Sequence, residues 1–246
     1  WQQHGPALTA AILPGTATAD SVVCLVLDTA GFRRLARGSL PDWGVGVAAP
    51  SGRAVALDHE RLPQVRRGPQ EVFLHEMAHA LLFQAARGAW LPTWFHEGVA
   101  MRASGQWQWT DTVAVVLGGH VPSLDAVRGP FPGQHTAAET ASRTSLLAVN
   151  YLTGEHGSDA VRRIVSETAA RGDFLAGFAA ATGEDYETFQ ERFRAAMNLR
   201  YGWVLMLVQW PTLFVIMALL FVVGAARRWI RSRRRLREMA DEEFGH

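Results

Sequence analysis

The sequence predicts an α+β domain, a small N-terminal sheet of a strand and a hairpin followed by a mainly helical remainder, with one transmembrane helix behind it. Three observations carry this. Strand-like runs and a turn cluster occupy the first 60 residues, the pattern turns helical from residue 69 onward, and a 24-residue stretch near the C-terminus has no formal charge. A chain of 246 residues has room for one ordinary domain plus a further segment. With 48% hydrophobic and 19% charged residues it can bury a real core, so wholesale disorder is excluded.

Residues 1–20 (WQQHGPALTAAILPGTATAD) read as a lead-in, with a short apolar helix around 8–13. Residues 22–28 (VVCLVLD) form a compact apolar run with β-branched members, which predicts a buried strand with Cys24 as an inert core residue, and 29–37 a short helix after it. Residues 44–49 and 53–58 flank Pro50-Ser51-Gly52, a hairpin signal. After a loop at 63–68, Pro69 suits a first helical position, and 71–87 continues with apolar residues over most of its surface, as a deeply buried helix does. A second helix is expected over 93–103, entered through Leu91-Pro92 and closed near Gly105. Further helices are expected over 139–152, 159–170, 174–181 and 186–199. In the last, Phe189, Phe193 and Met197 recur every four residues and should face the core, leaving Glu187, Glu191 and Arg194 wet. No internal repeat interrupts this unit, taken as 21–200.

Residues 203–226 (WVLMLVQWPTLFVIMALLFVVGAA) would reach about 36 Å as a helix, enough to span a bilayer. Tyr201, Trp203 and Trp210 supply interfacial aromatics at one end. Seven arginines, Arg227, Arg228, Arg231, Arg233, Arg234, Arg235 and Arg237, follow the other. By the positive-inside rule this places the tail 227–246 in the cytoplasm and 1–200 outside it, on a single-pass protein of the cell membrane.

The formal net charge of +1 hides this asymmetry: without the seven arginines and four acids of 227–246, the rest of the chain carries −2. A nucleic-acid binder is therefore not expected, since the dense basic run belongs to a membrane flank. All 24 basic residues are Arg, which reads as coding bias. Cys24 is alone, which excludes an intramolecular disulfide and a thiolate cluster. The start at Trp1, without Met or a charged-then-apolar leader, reads either as a removed signal peptide or as a start within a longer chain.

Chemistry concentrates in the buried helix, at His75-Glu76-Met77-Ala78-His79. Residues i and i+4 share a helix face, so both imidazoles can point at one ion, and Glu76, rotated about 100° away, can reach a water there as a general base. In this composition the pattern arises by accident roughly 0.02 times. A catalytic zinc takes three protein ligands, and Glu97 stands 18 residues after His79 on the next predicted helix, where a helix–loop–helix return could bring it over the pair. His96 and Glu139 are the alternatives for that place. Residues 92–100, Pro-Thr-Trp-Phe-His-Glu-Gly-Val-Ala, closely resemble the third-ligand helix of gluzincin metallopeptidases, the thermolysin-like group with H-E-x-x-H and a downstream Glu. Within that group the match is best to membrane-anchored bacterial members with W-x-x-E-G-x-A. Weaker likeness extends over about 20–200, including residues 146–152 and the Ala-Thr-Gly at 181–183.

The resemblance implies a zincin-type catalytic domain holding one zinc on His75, His79 and Glu97, with Glu76 as general base, hydrolysing peptide bonds of a protein or peptide substrate outside the cytoplasm. Relatives often carry a Tyr a few residues before the 146 run, where this chain has Ser142; His120, His135 and Tyr151 are the candidate stabilisers of the transition state in its place. The missing Tyr also favours an alternative, a weak or inactive binding or regulatory module of the same fold at the membrane. An intramembrane protease is discounted, because the motif lies about 120 residues before the span. Trp94 and Phe95 read as core anchors, Trp107 and Trp109 as cleft-rim or packing residues, and His4, His59, His156 and His246 show no ligand spacing. Oligomeric state leaves no mark.

Overall fold

The computed structural model of the chain describes residues 3–13, 20–36, 44–65, 67–105, 123–129, 135–208 and 210–243. Over these the chain is α+β, with a three-stranded sheet preceding a helical body. The elements run α1 (Gly5–Ile12), β1 (Val23–Leu27), α2 (Thr29–Ala36), β2 (Gly46–Ala48), β3 (Ala54–Asp58), α3 (Pro69–Ala86), α4 (Thr93–Ala103), α5 (His135–His156), α6 (Ala160–Arg171), α7 (Phe174–Thr182), α8 (Tyr186–Val208) and α9 (Trp210–Glu243).

β2 and β3 form the expected antiparallel hairpin, with Gly46 opposite Leu57 and Ala48 opposite Val55. Its turn closes through Gly52 N–H donating to the Ala49 carbonyl at 2.8 Å. Gly52 is required twice over: its φ is +69°, and a Cβ would come within 2.6 Å of the Ala80 carbonyl on α3. β1 pairs in parallel with the other edge of β3, Val23 opposite Ala54, and α2 provides the crossover. Central β3 is buried from Val55 to Asp58. The expectation for β1 is corrected here: its residues are exposed or half-buried, Cys24 is exposed, and Val23 and Val26 each show more than half their surface. An apolar run of five residues serves a sheet edge as readily as a sheet centre, and here it forms an edge.

α3 sits beneath the sheet and is buried on nearly every side, from Val72 to Ala86. Its start is tied by Glu71, whose carboxylate accepts from the Gly68 N–H. α4 packs on α3 and, more closely, on α5. A Cβ at Gly98 would lie 2.3 Å from the Ser145 carbonyl oxygen and 2.6 Å from Val149 Cγ2, so only glycine permits this crossing. Trp94, fully buried, anchors α4 in an aromatic core with Phe95, Phe174, Tyr186 and Phe189. Phe189, Phe193 and Met197 face that core, and Glu187, Glu191 and Arg194 are exposed, as their spacing predicts.

The chain divides into two compact units, Trp1–Asn198 and Leu199–His246. In the second, Leu213–Arg233 is a 21-residue helical stretch apolar enough to cross a membrane, and none of it is buried in the protein. That separates it from the core helix of a soluble fold. It coincides with the apolar run read from sequence over 213–226.

Candidate metal centre

α3 carries His75 and His79 one turn apart on the same face, as i, i+4 spacing dictates. Their Nε2 atoms stand 3.2 Å apart, and the rings meet edge-on with centroids at 4.8 Å. Both imidazoles are largely withdrawn from water, their side chains 10% and 13% exposed. Buried polar groups in so apolar a helix require a partner. α4 provides it.

The chain leaves α3 through Arg87 in the left-handed region (φ 51°) and Gly88 (φ 86°), then enters α4 at Pro92 in extended conformation. Trp94 and Gly98 fix α4 on either side of Glu97, and the carboxylate turns back over α3. Its Oε2 lies 3.5 Å from His75 Nε2 and its Oε1 3.6 Å from His79 Nε2. His75, His79 and Glu97 thus present one ligand atom each within a single small cluster that could hold a metal ion. The chemistry fits: two imidazole nitrogens and one carboxylate are a standard donor set. So does the spacing. A tetrahedral ion with ligands at 2.0–2.1 Å has neighbouring ligand atoms about 3.3 Å apart, close to the separation of the two Nε2 atoms, and one ligand atom from each of the three residues lies within 4.8 Å of the others.

Electrostatics leave His79 and Glu97 in their ligating forms at neutral pH. Burial pulls His79 down to about 3, against the opposing charge of Glu97, so the imidazole is neutral. Burial pushes the Glu97 carboxyl up, but His79 and His75, with His96, outweigh it and hold it at about 2. Glu76, one residue round the helix, is raised to about 7, chiefly by burial; His75 opposes the rise and Glu97 adds to it. It sits where a carboxyl can both take and give a proton near neutrality.

Gly46, which sequence reasoning missed, faces Glu76 from β2. A Cβ there would fall 2.7 Å from Glu76 Oε1 and within 2.9 Å of its Cγ and Cδ. The carboxylate lies across the bare Cα of the strand. No spacing rule links residues 30 apart on different elements, so only the glycine in an otherwise apolar strand signals the close approach. His96 is not one of the grouped ligands: its ring packs on Phe83 at 4.9 Å and lies 5.7 Å from that of His79, and burial lowers it to about 4 against the pull of Glu97. Glu139 pairs with Arg143 at 3.7 Å. Tyr151 packs on Phe189 and Phe193, its hydroxyl raised by burial and by nearby Glu155. Among the described residues, no hydrogen bond or ring contact joins it to the ligand cluster. His135 opens α5; its side chain lies outside the described residues, as do His120, Trp107 and Trp109. Two histidines without ligand spacing differ in use: His59 is exposed, whereas His156 pairs with Glu184 at 2.7 Å and braces α5 against the α7–α8 corner.

No family model and no solved structure matches the chain. It is similar to "Uncharacterized protein YhcO" of Bacillus subtilis (strain 168), with 27% identity over 155 residues, 57% of this chain and 47% of that protein. The chain thus spans about half the length of the curated relative it matches. The functional reading rests on the site's own chemistry.

Proposed function

We propose that this chain is a membrane-anchored zinc peptidase that hydrolyses peptide bonds outside the cytoplasm. The observation that carries the reading is the convergence of His75, His79 and Glu97 at 3.2 to 3.6 Å with a buried carboxyl, Glu76, beside them. His75 and His79 would hold the ion through neutral nitrogens and Glu97 through one negative charge, leaving the centre net positive toward a carbonyl oxygen. Zinc, when bound, supplies Lewis acidity, polarising the scissile carbonyl and acidifying water near neutral pH. Glu76 accepts the proton of the attacking water at its carboxylate and passes it to the leaving amine. Gly46 leaves that carboxylate room, and the packing of Trp94 and Gly98 keeps Glu97 in register with α3. The choice of peptide bonds over other carbonyl compounds is supported by the likeness of residues 75–79 and 92–100 to gluzincin peptidases. The helical stretch Leu213–Arg233 supports the membrane anchor, and the seven arginines that follow Ala226 support a cytoplasmic tail.

The test is metal content first and turnover second, on the full chain purified in detergent without chelator. Near one zinc per chain is expected, lost in His79→Ala. Hydrolysis of a mixed peptide library should stop in Glu76→Gln while its zinc remains. Failure to take up added zinc by the folded chain would remove the peptidase reading. It would leave the second one, a binding or regulatory module, which Ser142 in place of the relatives' Tyr favours.

A further inference from the structure

Charge is sorted along α9. The helix is one continuous element from Trp210 to Glu243. After the apolar stretch ends at Ala226 come seven arginines and no acid up to Arg237, and then four acids, Glu238, Asp241, Glu242 and Glu243, and no further arginine. Arg227, Arg228 and Arg231 are exposed and have no ion-pair partner among the described residues. The Arg233 guanidinium lies 3.9 Å over the ring of Trp229, which is itself 57% exposed. A helix that kept its charges only for solubility would interleave the two signs.

The distances give the sorting a physical meaning. At 1.5 Å per residue the arginine segment covers about 15 Å, and Glu238 stands about 18 Å along the axis past Ala226. A headgroup layer is roughly 5 to 8 Å thick on each side of the hydrocarbon, and the field of its charges fades over about 8 Å at physiological salt. The helix is therefore wholly basic within reach of a membrane's surface charge and acidic only beyond it. We propose that the arginine segment of α9 binds the headgroups of anionic phospholipids, with Trp229 seated at the interface beneath Arg233. This rests on α9 as the membrane span. It goes beyond orientation: setting topology needs basic residues near the span, but does not require that acids be held back until the surface field has faded.

The test uses the full chain reconstituted in phosphatidylcholine bilayers with spin-labelled phosphatidylglycerol or phosphatidylcholine as probe, reading the fraction of each label immobilised by the protein. The expected result is a preference for phosphatidylglycerol of about fivefold or more at 0.1 M salt. It should fall toward parity in R231Q/R233Q/R234Q/R235Q and in 1 M salt, and persist in E238Q/D241N/E242Q/E243Q. Equal immobilisation of the two labels, or a preference that survives the arginine replacements, overturns the proposal while leaving the span intact. No immobilised fraction with either label removes the span as well, and the proposal with it.

Discussion

Gly46 contributes no side chain, and the carboxylate of Glu76 occupies the space this leaves. A methyl group there would meet Glu76 at 2.7 to 2.9 Å, but the atoms it meets include the free end of a flexible side chain, which can move aside. Gly46→Ala should therefore cost the fold little, within about 1 kcal/mol, and cost the position of the carboxylate a great deal. Displacing a reacting group by up to 1 Å lowers a rate by roughly 10- to 100-fold. The expected outcome is a fall in kcat of that order with zinc content and KM unchanged. In a Glu76→Asp background, where the shorter side chain leaves room for the methyl, the further loss should be small. Zinc lost along with activity, or an equal penalty in both backgrounds, would reduce Gly46 to an ordinary packing residue. The histidine pair is legible in sequence because helical periodicity alone puts i and i+4 together. The Gly46 contact is not, because it joins a strand to a helix across a loop and leaves no periodic trace.

At the scale of elements, Glu97, the proposed third ligand, is positioned by how α4 crosses α5. Apart from Glu97 itself, each residue that makes 94–100 recognisable has a packing reason here: Trp94 fills the aromatic core, Ala100 is fully buried, and Gly98 lets the backbones approach. A Cβ at Gly98 would meet backbone, the Ser145 carbonyl, so a helix must shift. Gly98→Ala should cost about 1 to 3 kcal/mol and weaken zinc binding, because Glu97 moves with its helix. Gly154 offers the control. It lies within α5 with no neighbour near its missing Cβ, so Gly154→Ala should be neutral or stabilising by up to about 1 kcal/mol and leave zinc affinity unchanged. Urea midpoints and a chelator competition decide it; equal behaviour of the two variants would dissolve the link between crossing and ligand. The same scale shows why the burial of β1 is not legible in sequence. Residues 22–28 state that the strand is apolar but not how many neighbours it has, and that number depends on sheet order. α3, apolar on every side, admits no such ambiguity, and its burial was legible.

For the whole molecule, the division into a folded unit and an apolar helix was legible because each rests on composition over tens of residues. Stability also belongs to this scale, and the buried groups of the candidate metal centre give its pH dependence a definite shape in the metal-free chain. Glu76, raised from 4.5 to about 7, stabilises the fold fully below pH 4.5, and this contribution is lost as pH rises through 7. His79 and His96, lowered from 6.5 to about 3 and about 4, act in the opposite sense: their contribution is present above pH 6.5 and is lost as pH falls through those values. Between pH 6.5 and 4.5 the unfolded chain binds both histidine protons and begins to bind one on Glu97, whose native carboxyl stays ionised, while the native chain holds the one on Glu76. The difference is one proton or slightly more, so stability should decline on acidification by about 1 to 2 kcal/mol per pH unit in that window. Glu76→Gln removes the opposing carboxyl, and the decline should steepen to about twice that. Urea unfolding of the chelated, detergent-solubilised chain at pH 5.0, 5.5 and 6.0 measures both slopes. If wild type and variant decline alike, burial is not what raises Glu76, and its assignment as a proton carrier poised near neutrality loses its physical basis.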